Sequence, residues 1–233
     1  GNFGNILAGY LAKQIGLPIN KLICASNSNN ILTDFINTGK YDLHRDFITT
    51  ISPSMDILIS SNLERLLYLL YKNSNKINEL MKKLNEDKVY EIEEDILSKI
   101  KQDFSGYYTN EEECRKMIKD LFNNENILID PHTSVAYCSY MKYQNETKDN
   151  TKTVVLSTAS PYKFGLDVLD SLGIKEDNPY VALNKLEEIS SMPIPSNLKD
   201  LDTLPVRFKD VIEIEDGEKV IRERLKEIND GKY

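Results

Sequence analysis

The chain opens with Gly1-Asn2-Phe3-Gly4-Asn5-Ile6-Leu7-Ala8-Gly9-Tyr10, a polar turn between two glycines that runs directly into a helical pattern. Apolar side chains recur at helical spacing from Ile6 to Ile15, which predicts a helix over 5–15 that ends at Gly16. Glycines let the backbone N–H groups of such a turn point inward, and the first turn of the helix adds free N–H groups of its own. The pattern therefore favours a site for an anion such as phosphate, with a plain tight connection as the alternative.

The position of this turn at the very start of the chain is unusual. Turns that bind phosphate normally follow a strand, and neither a strand nor an initiator methionine precedes Gly1. We therefore expect the chain to be the later part of a longer protein, entered in the middle of a fold.

The composition is that of a globular protein with an acidic surface. The 233 residues are 40% hydrophobic and 28% charged, which provides enough apolar material for a core. A net charge of −8 and a pI near 5.0 argue against nucleic acid or an anionic membrane as the main partner. No apolar stretch approaches the roughly 20 residues that span a bilayer, and no signal peptide is recognisable, so we expect a cytoplasmic protein.

The cysteines and histidines do not indicate a metal site. Cys24, Cys114 and Cys138 are widely spaced and odd in number, so buried small side chains are favoured over a disulfide framework. His132 is expected to be a hydrogen-bonded structural group rather than an acid or base, and His44 is expected on the surface. No cysteine or carboxylate lies at ligand spacing from either histidine, and we predict no bound metal.

Helices and strands alternate in the first third of the chain. After the first helix, the pattern predicts a strand at 21–26, a helix at 29–38, a short strand at 47–50 and a helix at 62–71. This alternation is typical of βαβ units, and it predicts an α/β fold with a mostly parallel sheet flanked by helices.

Residues 72–125 have a different character, because they are rich in Lys, Glu, Asp and Asn. Their apolar residues predict amphipathic helices without strands between them. Residues 106–110 are interpreted as a turn that leads to a helix at about 110–123, with Thr109 and Glu112 at the spacing of a capping box.

Alternation resumes after residue 125. A helix is predicted from the Asp130-Pro131-His132-Thr133 block through about 144, and Thr153-Val154-Val155-Leu156-Ser157 is interpreted as a buried strand. Three further helices are predicted at 165–172, 179–190 and 218–228. We predict four segments: part of an α/β domain at 1–71, a helical insertion at 72–125, the continued α/β domain at 126–175 and a C-terminal helical extension at 176–233.

Five blocks of the sequence together resemble threonine synthase and occur in the order of that family. They are residues 1–10, 22–27, 52–66 with Ser52-Pro53-Ser54-Met55-Asp56 and Ser61-Asn62-Leu63-Glu64-Arg65, 130–133, and 156–164. The resemblance implies the C-terminal half of a pyridoxal 5′-phosphate enzyme of the type II, tryptophan synthase β-like fold. It also implies a carbon–oxygen lyase acting on phosphates, which converts O-phosphohomoserine and water to threonine and phosphate.

The resemblance also implies the residues that contact the cofactor. The turn residues expected around the cofactor phosphate are Gly1, Asn2, Phe3, Gly4 and Asn5. Thr158 is expected to face the ring nitrogen, because it would follow a strand at the edge where α/β sheets bind ligands. From the residues alone, a hydroxyl that caps the following turn remains the alternative for Thr158.

No catalytic residue is assigned to this chain. Phe208-Lys209-Asp210 is similar to the family's lysine motif, but the family's copy precedes the phosphate turn, so Lys209 is interpreted as a surface residue. Lys163 belongs to another block and is expected to be structural or close to the site. The lysine that binds the cofactor is therefore expected in an N-terminal half outside this chain, and the chain alone is expected to be inactive.

Two functional classes remain open at this point. The favoured one is a threonine synthase, and the other is a non-catalytic threonine synthase-like domain that binds a phosphorylated ligand or a partner subunit. Another type II enzyme is a weaker third interpretation, because the Ser-Pro-Ser-Met-Asp and Asp-Pro-His-Thr blocks argue against it.

Overall fold

The computed structural model describes residues 2–207 and 209–231. The chain divides into two compact units, Gly1–Pro195 and Ser196–Tyr233. The second unit contains the helix α10 (Gly217–Asn229), whose apolar side chains Ile221, Leu225 and Ile228 are exposed. Within the described ranges, no helix combines the length and apolar character that crossing a bilayer requires.

The first unit is built from helices and short strands. Its helices are α1 (Gly4–Gln14), α2 (Ile31–Thr38), α3 (Leu63–Tyr71), α4 (Ser74–Glu86), α5 (Glu94–Asp103), α6 (Glu111–Glu125), α7 (Pro131–Thr147), α8 (Gly165–Ser171) and α9 (Pro179–Ser190). Its strands are β1 (Leu22–Ser26), β2 (Lys40–Asp42), β3 (Val89–Glu91) and β4 (Phe104–Tyr108). The helices predicted from periodicity are confirmed, with ends that differ by at most three residues.

The strands form two small sheets. In one of them β1 and β4 pair in parallel, with Leu22 opposite Phe104 and Ser26 opposite Tyr108. In the other, β2 and β3 pair antiparallel. Helices α1, α2 and α7 pack against the parallel pair. The predicted α/β class, with a parallel sheet flanked by helices, is therefore confirmed for this unit.

An aromatic cluster in the core holds the segment that leads into α3. The ring of Tyr41 stacks on Tyr90 at a centroid distance of 5.3 Å, and Phe35 packs edge-on against both. The buried Tyr41 hydroxyl donates to the Leu58 carbonyl and accepts from the Ser60 N–H, both at 2.9 Å. The approach to α3 is thus fixed by the core.

The prediction that residues 72–125 contain helices without strands is wrong. The segment contributes β3 and β4, and β4 includes the residues interpreted as a turn around Gly106. Its partner β1 lies about 80 residues earlier in the chain, so no local pattern reveals the pairing. Residue 106 is a glycine because helix α2 approaches β4 so closely that a side chain at this position would meet the backbone of Thr33.

The two strands predicted at 47–50 and 153–157 are also wrong. Neither segment belongs to a sheet, and Val154 and Leu156 are 81% and 56% exposed rather than buried. Their β-branched and apolar composition fits a strand only where a neighbouring strand supplies hydrogen bonds and packing. Within the described part of the chain, neither segment has such a neighbour.

The capping box at the start of α6 lies one residue later than predicted. Asn110 accepts from the Glu113 N–H, and the Glu113 carboxylate accepts from the Asn110 N–H, each at 2.9 Å. The Thr109 hydroxyl is buried and donates to the Val135 carbonyl instead.

This shift gives a direct test of which residues cap α6. Replacing Asn110 with alanine is expected to lower the free energy of unfolding by about 1 kcal/mol, because an orphan N–H loses its acceptor. Glu112→Ala is the control, since Glu112 would belong to the box at the predicted position. Urea unfolding measures both, and a larger loss for Glu112→Ala would contradict the observed cap.

Candidate functional site

The turn before α1 has an unusual backbone held by an aromatic anchor. Phe3 precedes the helix with a φ of 62°, in the left-handed region that disfavours side chains. Its ring is buried and lies 5.6 Å from the ring of Phe104. No side chain caps α1, and its first turn carries no acidic residue. The N–H groups at this helix start therefore remain available to an anion.

The other residues assigned to the phosphate contact lie at the surface of this turn. Asn2, Gly4 and Asn5 are exposed, and Gly1 lies outside the described residues. A Cβ added to Gly4 would meet only the Asn62 amide nitrogen, at 3.7 Å, which is an ordinary contact. Protein packing therefore does not require a glycine here, and the open space fits a phosphate that approaches the backbone closely.

A polar network lies just beyond the carboxyl end of β1, where ligands bind in α/β sheets. The Asp56 Oδ1 atom accepts from the side-chain amides of Asn27 at 2.7 Å and Asn29 at 3.0 Å, and from the Thr50 hydroxyl at 2.7 Å. Its Oδ2 atom accepts from the Thr50 N–H at 2.9 Å. These bonds tie residues 50–56 to the end of β1, and they satisfy the carboxylate with neutral donors alone.

His132 is a structural group whose tautomer follows from its partners. Its Nε2 atom lies 3.1 Å from the Ser54 N–H, and its Nδ1 atom lies 2.9 Å from Asp130 Oδ1. A backbone N–H can only donate, so Nε2 is the acceptor and the proton sits on Nδ1, which donates to Asp130. Both ring nitrogens are thus hydrogen-bonded, as predicted.

Thr158 is placed by its neighbour rather than by a strand. The Ser157 hydroxyl lies 3.0 Å from the Thr133 hydroxyl, which also bonds the Asp130 carboxylate. Thr158 itself is exposed, lies in an irregular segment, and makes no hydrogen bond within the described residues. The structure thus brings the Thr158 segment to the start of α7, while its contact with the cofactor ring and the turn before α1 stays a prediction.

Asp130 connects the sequence block at 52–66 with the block at 156–164 through hydrogen bonds. The sequence analysis did not predict this connection. Through His132 it holds the loop at Ser54, and through Thr133 it holds Ser157. The only sequence signal was the position of Asp130 before a proline at a helix start, which indicates a cap. Asp130 does accept from the N–H groups of His132 and Thr133, so it performs both tasks.

Both lysines considered in the sequence analysis are exposed, as predicted for Lys209. Lys209 belongs to the second unit and is exposed, while Phe208 before it lies outside the described residues. Lys163 is exposed, with its ammonium group 5.4 Å from the centre of the Phe164 ring. That ring lies 4.7 Å from the His132 ring. Lys163 thus lies at the edge of the Asp130 network.

The three cysteine thiols are buried and have raised pKa values. All three are buried and free, as predicted. Burial raises the pKa of Cys24 and Cys138 to about 11 and that of Cys114 to about 12, so the thiols stay protonated near neutral pH. The described ranges contain no cluster of three or more residues that could ligate a metal.

Comparisons with known proteins point to one family. A family model described as the C-terminal part of threonine synthase matches residues 133–222. Human threonine synthase-like 1 is 44% identical over 180 residues, which are 76% of this chain and 24% of that protein. The crystal structure of yeast threonine synthase has a TM-score of 0.84 at 33% identity, over 97% of this chain and 46% of that one. The structure of PLP-bound threonine synthase from Brucella melitensis has a TM-score of 0.69 at 36% identity, over 83% of this chain and 40% of that one. The chain spans less than half the length of each of these relatives.

Proposed function

Because the chain belongs to the threonine synthase family, we propose that it carries the cofactor-phosphate site of a threonine synthase, which converts O-phosphohomoserine and water to L-threonine and phosphate. The observation that supports this most is the start of α1, where a glycine turn leaves backbone N–H groups uncapped and open space above Gly4. The relative from Brucella melitensis, which binds PLP, supports pyridoxal 5′-phosphate as the ligand.

In this proposal the chain binds and orients the cofactor. Residues Gly1 to Asn5 hold the phosphate through backbone N–H groups, and the Thr158 hydroxyl faces the ring nitrogen. Pyridoxal 5′-phosphate, when bound, supplies the electron sink that lets phosphate leave the γ carbon and water add at the β carbon. A neutral hydroxyl beside the ring nitrogen leaves that nitrogen largely unprotonated, in contrast to a carboxylate partner.

The lysine that forms the Schiff base with the cofactor is proposed to lie outside this chain. Neither Lys163 nor Lys209 is proposed as the Schiff-base lysine, so a complete site needs the N-terminal half of a threonine synthase. We propose a cytoplasmic enzyme that acts on this small phosphorylated substrate and needs neither nucleic acid nor a membrane. The alternative, a non-catalytic binding domain, draws on the 44% identity to human threonine synthase-like 1.

The activity test separates these two functions. The chain is mixed with the N-terminal half of yeast threonine synthase and pyridoxal 5′-phosphate, and phosphate release from O-phosphohomoserine is measured. Release above that of either half alone supports the lyase. Cofactor binding without release would favour the binding domain.

Gly4→Val tests the phosphate contact itself. The variant is expected to bind 4′-deoxypyridoxine 5′-phosphate, an analogue that cannot form a Schiff base, at least about tenfold more weakly, because the new side chain fills the phosphate space. Its stability to urea should not fall, since valine has a higher helix propensity than glycine. Isothermal titration calorimetry measures the affinity.

The matched control is Gly217→Val. Gly217 is also the first residue of a helix and has open space around it. This variant is expected to keep the affinity of the unsubstituted chain. Equal affinities for Gly4→Val and Gly217→Val would remove Gly4 from the site.

A further inference from the structure

We propose that Asn62 is a positioning residue for the phosphate site, and that its side-chain amide holds the turn before α1 in the conformation that presents the free N–H groups. This inference rests on the proposed function of that turn. The Asn62 Nδ2 atom donates to the Asn2 carbonyl at 2.7 Å, across 60 residues of sequence. The start of α3 and the start of α1 are therefore joined at the proposed site.

Asn62 does not cap helix α3, although it lies at the capping position of this helix. It directly precedes α3, where an asparagine side chain normally accepts an N–H of the first helical turn, yet α3 has no such side-chain cap. Other asparagines directly before helices do cap them: Asn73, Asn110 and Asn178. A missing cap makes a helix less stable, and the Asn62 side chain forms the contact with the turn instead.

Helix α2 is also preceded by an asparagine that makes a tertiary hydrogen bond instead of a cap. Asn30 precedes α2 without capping it, and its side-chain oxygen accepts from the Arg45 guanidinium at 3.0 Å. Where an asparagine of this chain leaves its own helix uncapped, its side chain makes a tertiary contact. For Asn62 that contact is with the backbone of the glycine turn.

The turn needs such a contact because its backbone is strained. The left-handed φ of Phe3 is unfavourable for a residue with a side chain, and it persists only where the surroundings fix it. The buried ring anchors the Phe3 side chain in the core. The Asn62 amide holds the carbonyl of Asn2, which belongs to the peptide bond before Phe3. The Asn2 side chain is exposed, so Asn62 recognises the backbone and not the identity of residue 2.

Asn62 is itself rigidly placed. The neighbouring Leu63 is 2% exposed and belongs to the core. On the other side, Tyr41 holds the Ser60 N–H from within the aromatic cluster. The position of the Asn62 amide is thus set by the core, and it transmits that position to the phosphate site.

Asn62→Ser separates positioning from stability. Serine caps helices as well as asparagine does but is too short to reach the Asn2 carbonyl, so stability to urea should be kept or raised. Affinity for 4′-deoxypyridoxine 5′-phosphate is expected to fall at least about tenfold, with little change for 4′-deoxypyridoxine, which lacks the phosphate. Hydrogen exchange at the Leu7 amide of the unliganded chain, which donates to the Phe3 carbonyl at 3.1 Å, should become faster.

The control is Asn73→Ser, because Asn73 caps α4 and, within the residues that the structure describes, makes no hydrogen bond to the turn. It should leave affinity and exchange unchanged. Wild-type affinity in Asn62→Ser would overturn the inference and leave the proposed function standing. Failure of the unsubstituted chain to bind the phosphorylated analogue, even when mixed with the N-terminal half of yeast threonine synthase, would instead overturn the proposed function, and this inference with it.

Discussion

Replacing Asp130 with alanine is expected to lower the free energy of unfolding by about 3 kcal/mol. The Asp130 carboxylate is fully buried, and alanine removes the cap of α7 at the same time as the acceptor of two side chains. The His132 Nδ1–H and the Thr133 hydroxyl would then be left buried without their present acceptor. An orphaned buried donor costs about 1–3 kcal/mol, so the loss at His132 adds to that of the cap. The Thr133 hydroxyl can still donate to the Ser157 hydroxyl, which lies 3.0 Å away.

Asn178→Ala is the matched control for this effect. Asn178 also caps a helix directly before a proline, and it accepts from the corresponding two N–H groups, but it is exposed. Its loss is expected to cost about 1 kcal/mol. Urea unfolding followed by circular dichroism measures both variants, and equal losses would show that Asp130 acts only as a cap.

The contribution of Asp130 should also depend on pH. Burial works to raise the pKa of the Asp130 carboxyl, but hydrogen bonds from His132 and Thr133 outweigh it and hold the pKa below its ordinary value. The stabilisation is therefore fully present above the unfolded pKa of about 3.9 and is lost as the pH falls through the folded pKa. The stability difference between the unsubstituted chain and Asp130→Asn should be large at pH 7 and should shrink towards pH 3. A difference that grows on acidification would contradict this sign.

The features that the sequence predicts correctly are those set by neighbouring residues. Helix α9 follows from the helix-forming residues 179–190, all within 12 residues. The strand β4 depends on β1 some 80 residues away, and its glycine and tyrosines are equally compatible with a turn. The segment at 153–157 shows the converse, because its composition favours a strand while its conformation depends on a partner.

The candidate site divides in the same way. The glycine turn is visible in sequence because its glycines and the helix after it are contiguous. The contacts that fix it are not visible, since Asn62 reaches Asn2 across 60 residues and His132 reaches Ser54 across 78. The sequence blocks therefore predict where the site lies, whereas the residues that position it are visible only in the structure.

Gly106→Ala is the second variant with a large expected effect, a loss of about 3 kcal/mol of stability. A Cβ at Gly106 would lie 3.0 Å from both the Cα and the carbonyl oxygen of Thr33, and 3.3 Å from Ile36 Cβ. Backbone atoms of α2 cannot move aside without lifting the helix from β4. The Thr33 hydroxyl, which lies near the Tyr107 carbonyl at 2.9 Å and the Ser26 hydroxyl at 3.0 Å, would be displaced as well.

Gly9→Ala provides a control with the same nominal distance and the opposite expectation. A Cβ at Gly9 would also meet an atom at 3.0 Å, but this atom is a terminal methyl of Leu22, which can rotate away. Gly9 lies inside α1, where alanine is favoured over glycine by up to about 1 kcal/mol, so stability should be unchanged or higher. Urea midpoints of the two variants measure the contrast. If the Gly106→Ala variant is as stable as the Gly9→Ala variant, the backbone of α2 does not contact β4 closely at Gly106. Strand β4 would then tolerate a side chain at residue 106.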